Sequence, residues 1–178
     1  MVPLGTEMPS FTLPDAVSGN IRSSESIKGK KGTVVMFICN HCPYVKHIAY
    51  GLTEVANDYS SKGISFVAIN SNDIESYPED SPERMKEAAE RYNYPFPYLF
   101  DETQEVAKAF QATCTPDIFV YDAAGKLFYR GQFDGARPGN GIPVTGESLR
   151  AALDALLEGK APPEPQKPSL GCNIKWKR

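Results

Sequence analysis

Several things are scarce in this chain of 178 residues, and each shortage narrows its class. No apolar run approaches the roughly 20 residues that a membrane-spanning helix needs, so no membrane partner is expected. Neither sign of charge dominates. Nineteen Lys and Arg against 22 Asp and Glu leave a formal net charge of −3, which gives no electrostatic reason to expect nucleic acid. Four cysteines (Cys39, Cys42, Cys114 and Cys172) are too few to staple a scaffold of this length. In a reducing compartment, cysteines spaced in this way point to catalysis or metal binding rather than to structural bridges. The opening Met1-Val2-Pro3-Leu4-Gly5-Thr6-Glu7 has neither the basic nor the apolar region of a signal peptide, and a cytoplasmic location is the expectation. What remains is ordinary: 41% hydrophobic and 23% charged residues, the balance of a soluble globular chain with a substantial core.

The chain is organised around Thr33-Val34-Val35-Met36-Phe37-Ile38-Cys39-Asn40-His41-Cys42-Pro43. An apolar run of β-type residues empties into a segment of helical period, and a Cys-x-x-Cys lies at the junction. The helix N-terminus offers unpaired N–H groups and the positive end of the macrodipole, both of which favour a thiolate. Cys39 is therefore expected at the N-cap as the low-pKa nucleophile, with Cys42 one turn deeper as the resolving thiol. The plain alternative for both is a buried, inert thiol. His41, between them, either favours the thiolate as a neighbouring imidazole or is simply solvated.

Around this junction the pattern is regular. Residues 1–32 predict an irregular arm with a small hairpin turning at Ser18-Gly19-Asn20. Residues 33–38 and 64–69 predict buried strands, flanking a helix from about Asn40 to Tyr59. Asn70–Asp80 reads as a polar loop, and Ser81-Pro82-Glu83 as a capped helix start. A short extended piece at 98–100, a helix over 103–110, a hairpin of 117–121 with 127–130, and a helix over 147–157 follow. Residues 161–168 form a proline-rich tether before Leu170-Gly171-Cys172-Asn173-Ile174-Lys175-Trp176. The fold class is α/β, a mixed sheet flanked by helices. The expected division is a core unit over 1–158 and a tail over 159–178 that packs on it or is tethered to it.

This order of elements resembles the thioredoxin superfamily, and within it the redoxin branch of thiol-specific antioxidant and cytochrome-maturation type. Three stretches carry the resemblance: Met8-Pro9-Ser10-Phe11-Thr12-Leu13-Pro14-Asp15 with Gly19, then Cys39-Asn40-His41-Cys42-Pro43-Tyr44-Val45-Lys46, and Cys114-Thr115-Pro116-Asp117. It implies a thioredoxin-like fold and a thiol–disulfide oxidoreductase with Cys39, Cys42, His41 and Pro116 in the catalytic site. It also implies a cis Thr115–Pro116 bond beside the cysteines and a bound partner strand held against Asn40, Pro43 and Thr115. Partners would be protein or small-molecule thiols and disulfides, with an upstream reductant or oxidant. No cofactor beyond the redox-active disulfide, and no metal, is expected. Cys114 and Cys172 are candidate auxiliary thiols, with packing as the plain alternative; Trp176 would anchor the tail.

Two departures from the family pattern stand out. Thr33 occupies the place of the buried acid that precedes the cysteines in thioredoxins, which leaves only Asn70, Asn72 and Asp73 as weak candidates to accept a proton. Met36 stands where peroxiredoxins need a Thr or Ser, which argues against peroxide reduction. The competing readings are a thiol peroxidase acting through Cys39, and a redox-inert binding module on the same fold. A third is a soft metal site built from the cysteines with His41 or His47.

Overall fold

A computed structural model describes residues 2–178. The run of β-branched and aromatic residues at the centre forms β3 (Gly32–Phe37), every residue of which is buried. It pairs in parallel with β4 (Ile64–Asn70) and antiparallel with β7 (Asp117–Asp122). With β5 (Tyr98–Phe100) beyond β4 and β8 (Leu127–Gly131) beyond β7, the sheet order is β5-β4-β3-β7-β8. This is the mixed sheet expected from a βαβ unit followed by an antiparallel hairpin.

Burial on both faces explains why the central strands are continuously apolar rather than alternating. Period-2 geometry nevertheless divides β3 between two cores. Val34 and Met36 face helix α1 (Pro43–Ser60), α2 (Pro82–Tyr92) and α4 (Glu147–Leu157) through Val45, Leu52, Met85 and Leu153. Val35 and Phe37 face α3 (Glu105–Phe110) and the N-terminal arm through Phe11 and Phe110. The arm carries the small antiparallel hairpin of β1 (Thr12–Pro14) and β2 (Ile21–Ser23). Ser81 caps α2 as its sequence implies, accepting the Arg84 N–H at 3.4 Å.

Two features differ from the pattern read in the sequence. The polar loop after β4 is built rather than loose: it closes in a 3₁₀ turn, Pro78–Asp80, and Asp80 is fully buried. The tail also makes a strand. β9 (Cys172–Asn173) pairs antiparallel with β6 (Cys114–Thr115), so that Thr115 stands opposite Cys172. Two residues per strand carry no periodicity, and the pairing is invisible in the sequence.

The tail is held along its length. Gln132 N–H donates to Lys167 O at 2.9 Å and Ile174 N–H to Thr113 O at 3.1 Å. Asp73 N–H donates to Lys175 O at 2.8 Å, and Lys175 N–H to Asn72 Oδ1 at 2.9 Å. Ile174 is 2% exposed, whereas Trp176 is 41% exposed; the anchoring apolar side chain is Ile174.

Candidate functional site

β3 delivers the Cys-x-x-Cys to the N-terminus of α1, but the register there differs from the expected one. Cys42, not Cys39, is the N-cap, with Pro43 in the first turn, where a missing N–H costs nothing. Cys39 lies in the turn ahead of the helix, 3% exposed, with its Sγ 3.4 Å from Thr115 Oγ1. Cys42 is fully buried, and its Sγ lies 3.5 Å from Thr115 O.

The protonation order follows from that register. Cys42 is pushed down to about 4, chiefly by the Cys39 thiol hydrogen-bonded to it, helped by Cys172, the Val45 N–H of the first helical turn and Thr115, against its own burial. Cys39 moves the opposite way, raised by donating that hydrogen bond, by burial and by the nearby Asp80 carboxylate. The hydrogen bond between the two sulfurs favours negative charge on Cys42 over Cys39. The lowered value thus falls on Cys42 rather than on the expected Cys39, chiefly through the hydrogen bond between the two sulfurs, with the Val45 N–H of the first helical turn adding to it.

The residues between the cysteines are fixed by Asp80. Its Oδ1 accepts the Asn40 backbone N–H at 2.6 Å and Asn70 Nδ2 at 3.3 Å. Its Oδ2 faces His41 Nδ1 at 2.5 Å and accepts Asn72 Nδ2 at 3.1 Å. Tyr98 closes the network by donating its hydroxyl to Asn40 Oδ1 at 2.8 Å while accepting from Asn70 Nδ2 at 3.3 Å. His41 stacks on Tyr77 at 5.3 Å. Sulfur of Cys39, ring nitrogen of His41 and carboxylate oxygen of Asp80 all lie within 4.8 Å of one another. As a metal site this group is poorly prepared, since both Asp80 oxygens are already engaged.

Asp80 is the residue that sequence reasoning missed. The acid lacking at Thr33 is supplied from a different element, 41 residues beyond Cys39, and the only signal was its place before a helix cap. Asn70 and Asn72, the weak candidates for proton acceptor, serve as donors to Asp80, and Asp73 binds the tail through its backbone N–H.

Thr115–Pro116 is cis and lies against the cysteines. The backbone edge of that loop is not open, however; it is taken by β9. Cys172 Sγ sits 2.8 Å from Cys42 Sγ, half-buried at the end of the tail. Its thiol is pushed up to about 11, by burial and by donating to Cys42. Cys114 lies on the same loop, but its Sγ turns to Pro116 O at 3.5 Å, and burial pushes its pKa up to about 12. It is not brought to Cys39. His47 is exposed on α1, apart from the cysteines; Lys46 and His41 line an open groove of about 280 Å³ together with Asn40, Glu79, Arg84 and Tyr92. Among the described residues, no helix is long and apolar enough to cross a membrane.

Residues 4–130 match the model of the AhpC/TSA family, and the chain belongs to that family. An uncharacterised conserved protein from Geobacillus kaustophilus is 63% identical, with a TM-score of 0.97 over 99% of this chain and 94% of its own. A hypothetical protein from Sinorhizobium meliloti is 50% identical, again with a TM-score of 0.97, over 99% and 96% of the two chains. The thioredoxin domain of a thiol-disulfide oxidoreductase from Bacteroides vulgatus shares the fold at 18% identity, with a TM-score of 0.65 over 85% and 98%. No curated protein matches the chain.

Proposed function

We propose that this member of the AhpC/TSA family is a thiol–disulfide oxidoreductase working through the Cys39/Cys42 dithiol. The observation that supports it is the pair of cysteine sulfurs at the start of α1, both set against the cis Thr115–Pro116 loop, with Cys42 lowered and Cys39 raised. A thiolate is the nucleophile of disulfide exchange, and a protonated neighbour within reach is the resolving group.

The reaction begins when Cys42 Sγ attacks a partner disulfide, forming a mixed disulfide and releasing one partner thiolate. Cys39 Sγ then attacks Cys42 Sγ, gives its proton to the second departing partner sulfur, and closes the Cys39–Cys42 disulfide. Two electrons pass from the dithiol to the partner, and no organic cofactor is required. Asp80 and Tyr98 act as positioning residues: they hold the Asn40-His41 turn, and with it the separation of the two sulfurs. Thr115 is placed to donate to the Cys39 sulfur when it carries charge. Partners are protein or small-molecule disulfides and thiols in the cytoplasm, and an upstream reductant or oxidant recharges the pair.

Peroxide reduction has weaker support. Met36, three residues before Cys39, is fully buried and offers no hydroxyl to polarise a peroxide. Reduction of a model protein disulfide by the dithiol-reduced chain tests the proposal. Wild type is expected to turn over the substrate, and Cys39→Ser or Cys42→Ser to abolish turnover. Activity retained by Cys42→Ser would overturn the reading.

A further inference from the structure

The exchange reading leaves a problem of access. Cys39 is 3% and Cys42 0% exposed, and the loop edge on which a partner strand would pair is occupied by β9. The occupant carries a thiol of its own. Cys172, opposite Thr115 in the ladder, points its sulfur at Cys42 from a half-buried position at the rim.

The docking is specific for this segment. A Cβ built on Gly171 would stand 1.9 Å from Thr115 O and 3.1 Å from Pro116 Cδ, so only glycine allows the tail backbone to approach the cis-proline loop this closely. Ser169 Oγ donates to Pro116 O on one side of that contact, and Ile174 is buried on the other. Lys175 Nζ lies 5.7 Å from the Tyr77 ring that stacks on His41, which ties the far end of the strand to the turn between the cysteines.

We propose that Cys172 is a third redox thiol, which takes the disulfide from the buried Cys39–Cys42 pair and presents it to external thiols at the rim. This rests on the dithiol reading above and adds the route by which the dithiol communicates with its partners. The Cys172 thiolate attacks Cys42 Sγ, the Cys42–Cys172 bond forms, and the Cys39–Cys42 bond breaks. Cys39 leaves as thiolate and takes up the proton that Cys172 gave up. No net oxidation occurs; the disulfide moves outward by one sulfur. An external thiol then attacks Cys172 Sγ, and Cys42, whose thiolate is the best stabilised of the three, is the leaving group. A second external thiol releases the first from Cys172 as a disulfide, and the chain is left fully reduced. Run in the opposite direction, the same steps load the buried pair from an external disulfide.

The test uses the full chain oxidised with glutathione disulfide, quenched in acid, alkylated and digested with trypsin. Cys39 and Cys42 share the tryptic peptide 32–46, and Cys172 lies in 161–175, so a Cys42–Cys172 bond joins two peptides and a Cys39–Cys42 bond joins none. Wild type is expected to give both species, and Cys39→Ser the joined pair alone. Cys172→Ser should keep the Cys39–Cys42 bond but be reduced by glutathione at least ~10-fold more slowly, because the accessible sulfur is gone. Gly171→Ala keeps all the thiols but undocks the strand, and should lose the joined pair while glutathione gains direct access to the Cys39–Cys42 bond. The proposal is overturned if Cys39→Ser forms no joined pair, or if Cys172→Ser is reduced as fast as wild type. If wild type forms neither bond, the dithiol reading beneath it fails instead.

Discussion

Asp80 accepts the backbone N–H of Asn40 at 2.6 Å, so a fully buried carboxylate from the loop after β4 holds the turn between the two cysteines. Asn70 and Asn72 also donate to it, and His41 Nδ1 faces its other oxygen. Asp80→Asn would turn an amide N–H₂ toward groups that are themselves donors. The variant is expected to lose about 2–3 kcal/mol of stability in urea unfolding, the cost of leaving buried donors unpaired. Removing the charge also removes one of the causes that raise Cys39, so Cys39 should alkylate at lower pH than in wild type.

The lowered Cys42 value sets a pH dependence with a definite sign. Between about 4 and the ordinary thiol value near ~8.5, folded Cys42 is a thiolate while the unfolded chain holds the proton. The unfolded state binds more protons across that window, so the Cys42 contribution to the stability of the reduced protein grows as pH rises through it and is lost as pH falls toward about 4. Ultraviolet thiolate absorbance should already show one thiolate in mildly acidic buffer, and Cys42→Ser should remove it.

The loop carrying Thr115–Pro116 is braced from below. Arg130 forks onto Asp117, with Nη2 to Oδ2 at 2.9 Å and Nε to Oδ1 at 3.3 Å, and its guanidinium lies 4.7 Å from the Phe119 ring. Arg130→Met keeps the bulk but strands the Asp117 carboxylate, which is 4% exposed. Thermal or urea unfolding should register a loss of about 3 kcal/mol, the scale for breaking one half of a buried pair.

Tail docking separates two apolar residues near the C-terminus. Ile174→Ala should cost about 2–4 kcal/mol and expose Lys175 to trypsin in the native protein, because Ile174 is buried in the core on the α3 face. Trp176→Ala, at a position 41% exposed, should change stability by only about 0.5 kcal/mol.

Much of this was legible in the chain because the strong signals are local. The apolar run of β3, the helical period of α1 and the Ser81-Pro82 start of α2 each describe one element and its burial, and the structure forms each of them. Where local reading failed, the cause was a contact across the chain or a register of a few residues. Cys39 was expected at the N-cap, but Pro43 begins the helix and passes the cap, with its N–H groups, to Cys42. Asp80 reaches Asn40 only through the fold of the loop after β4. The pairing of Cys172 with Thr115 spans 57 residues and rests on a two-residue ladder, and the reason for Gly171 appears only once Thr115 O stands beside it.

The central claim is that Cys39 and Cys42 act as one two-electron couple, and a thiol/disulfide titration tests it most directly. Metal-free Cys172→Ser protein, in which no third thiol competes for Cys42, is equilibrated across defined ratios of reduced to oxidised glutathione, and the free thiols are counted by alkylation and mass. The prediction is a single transition in which Cys39 and Cys42 convert together, at a potential within roughly −270 to −120 mV, the span of known exchange proteins. A pair that stays reduced at every ratio, or in which one sulfur reacts without the other, would contradict it.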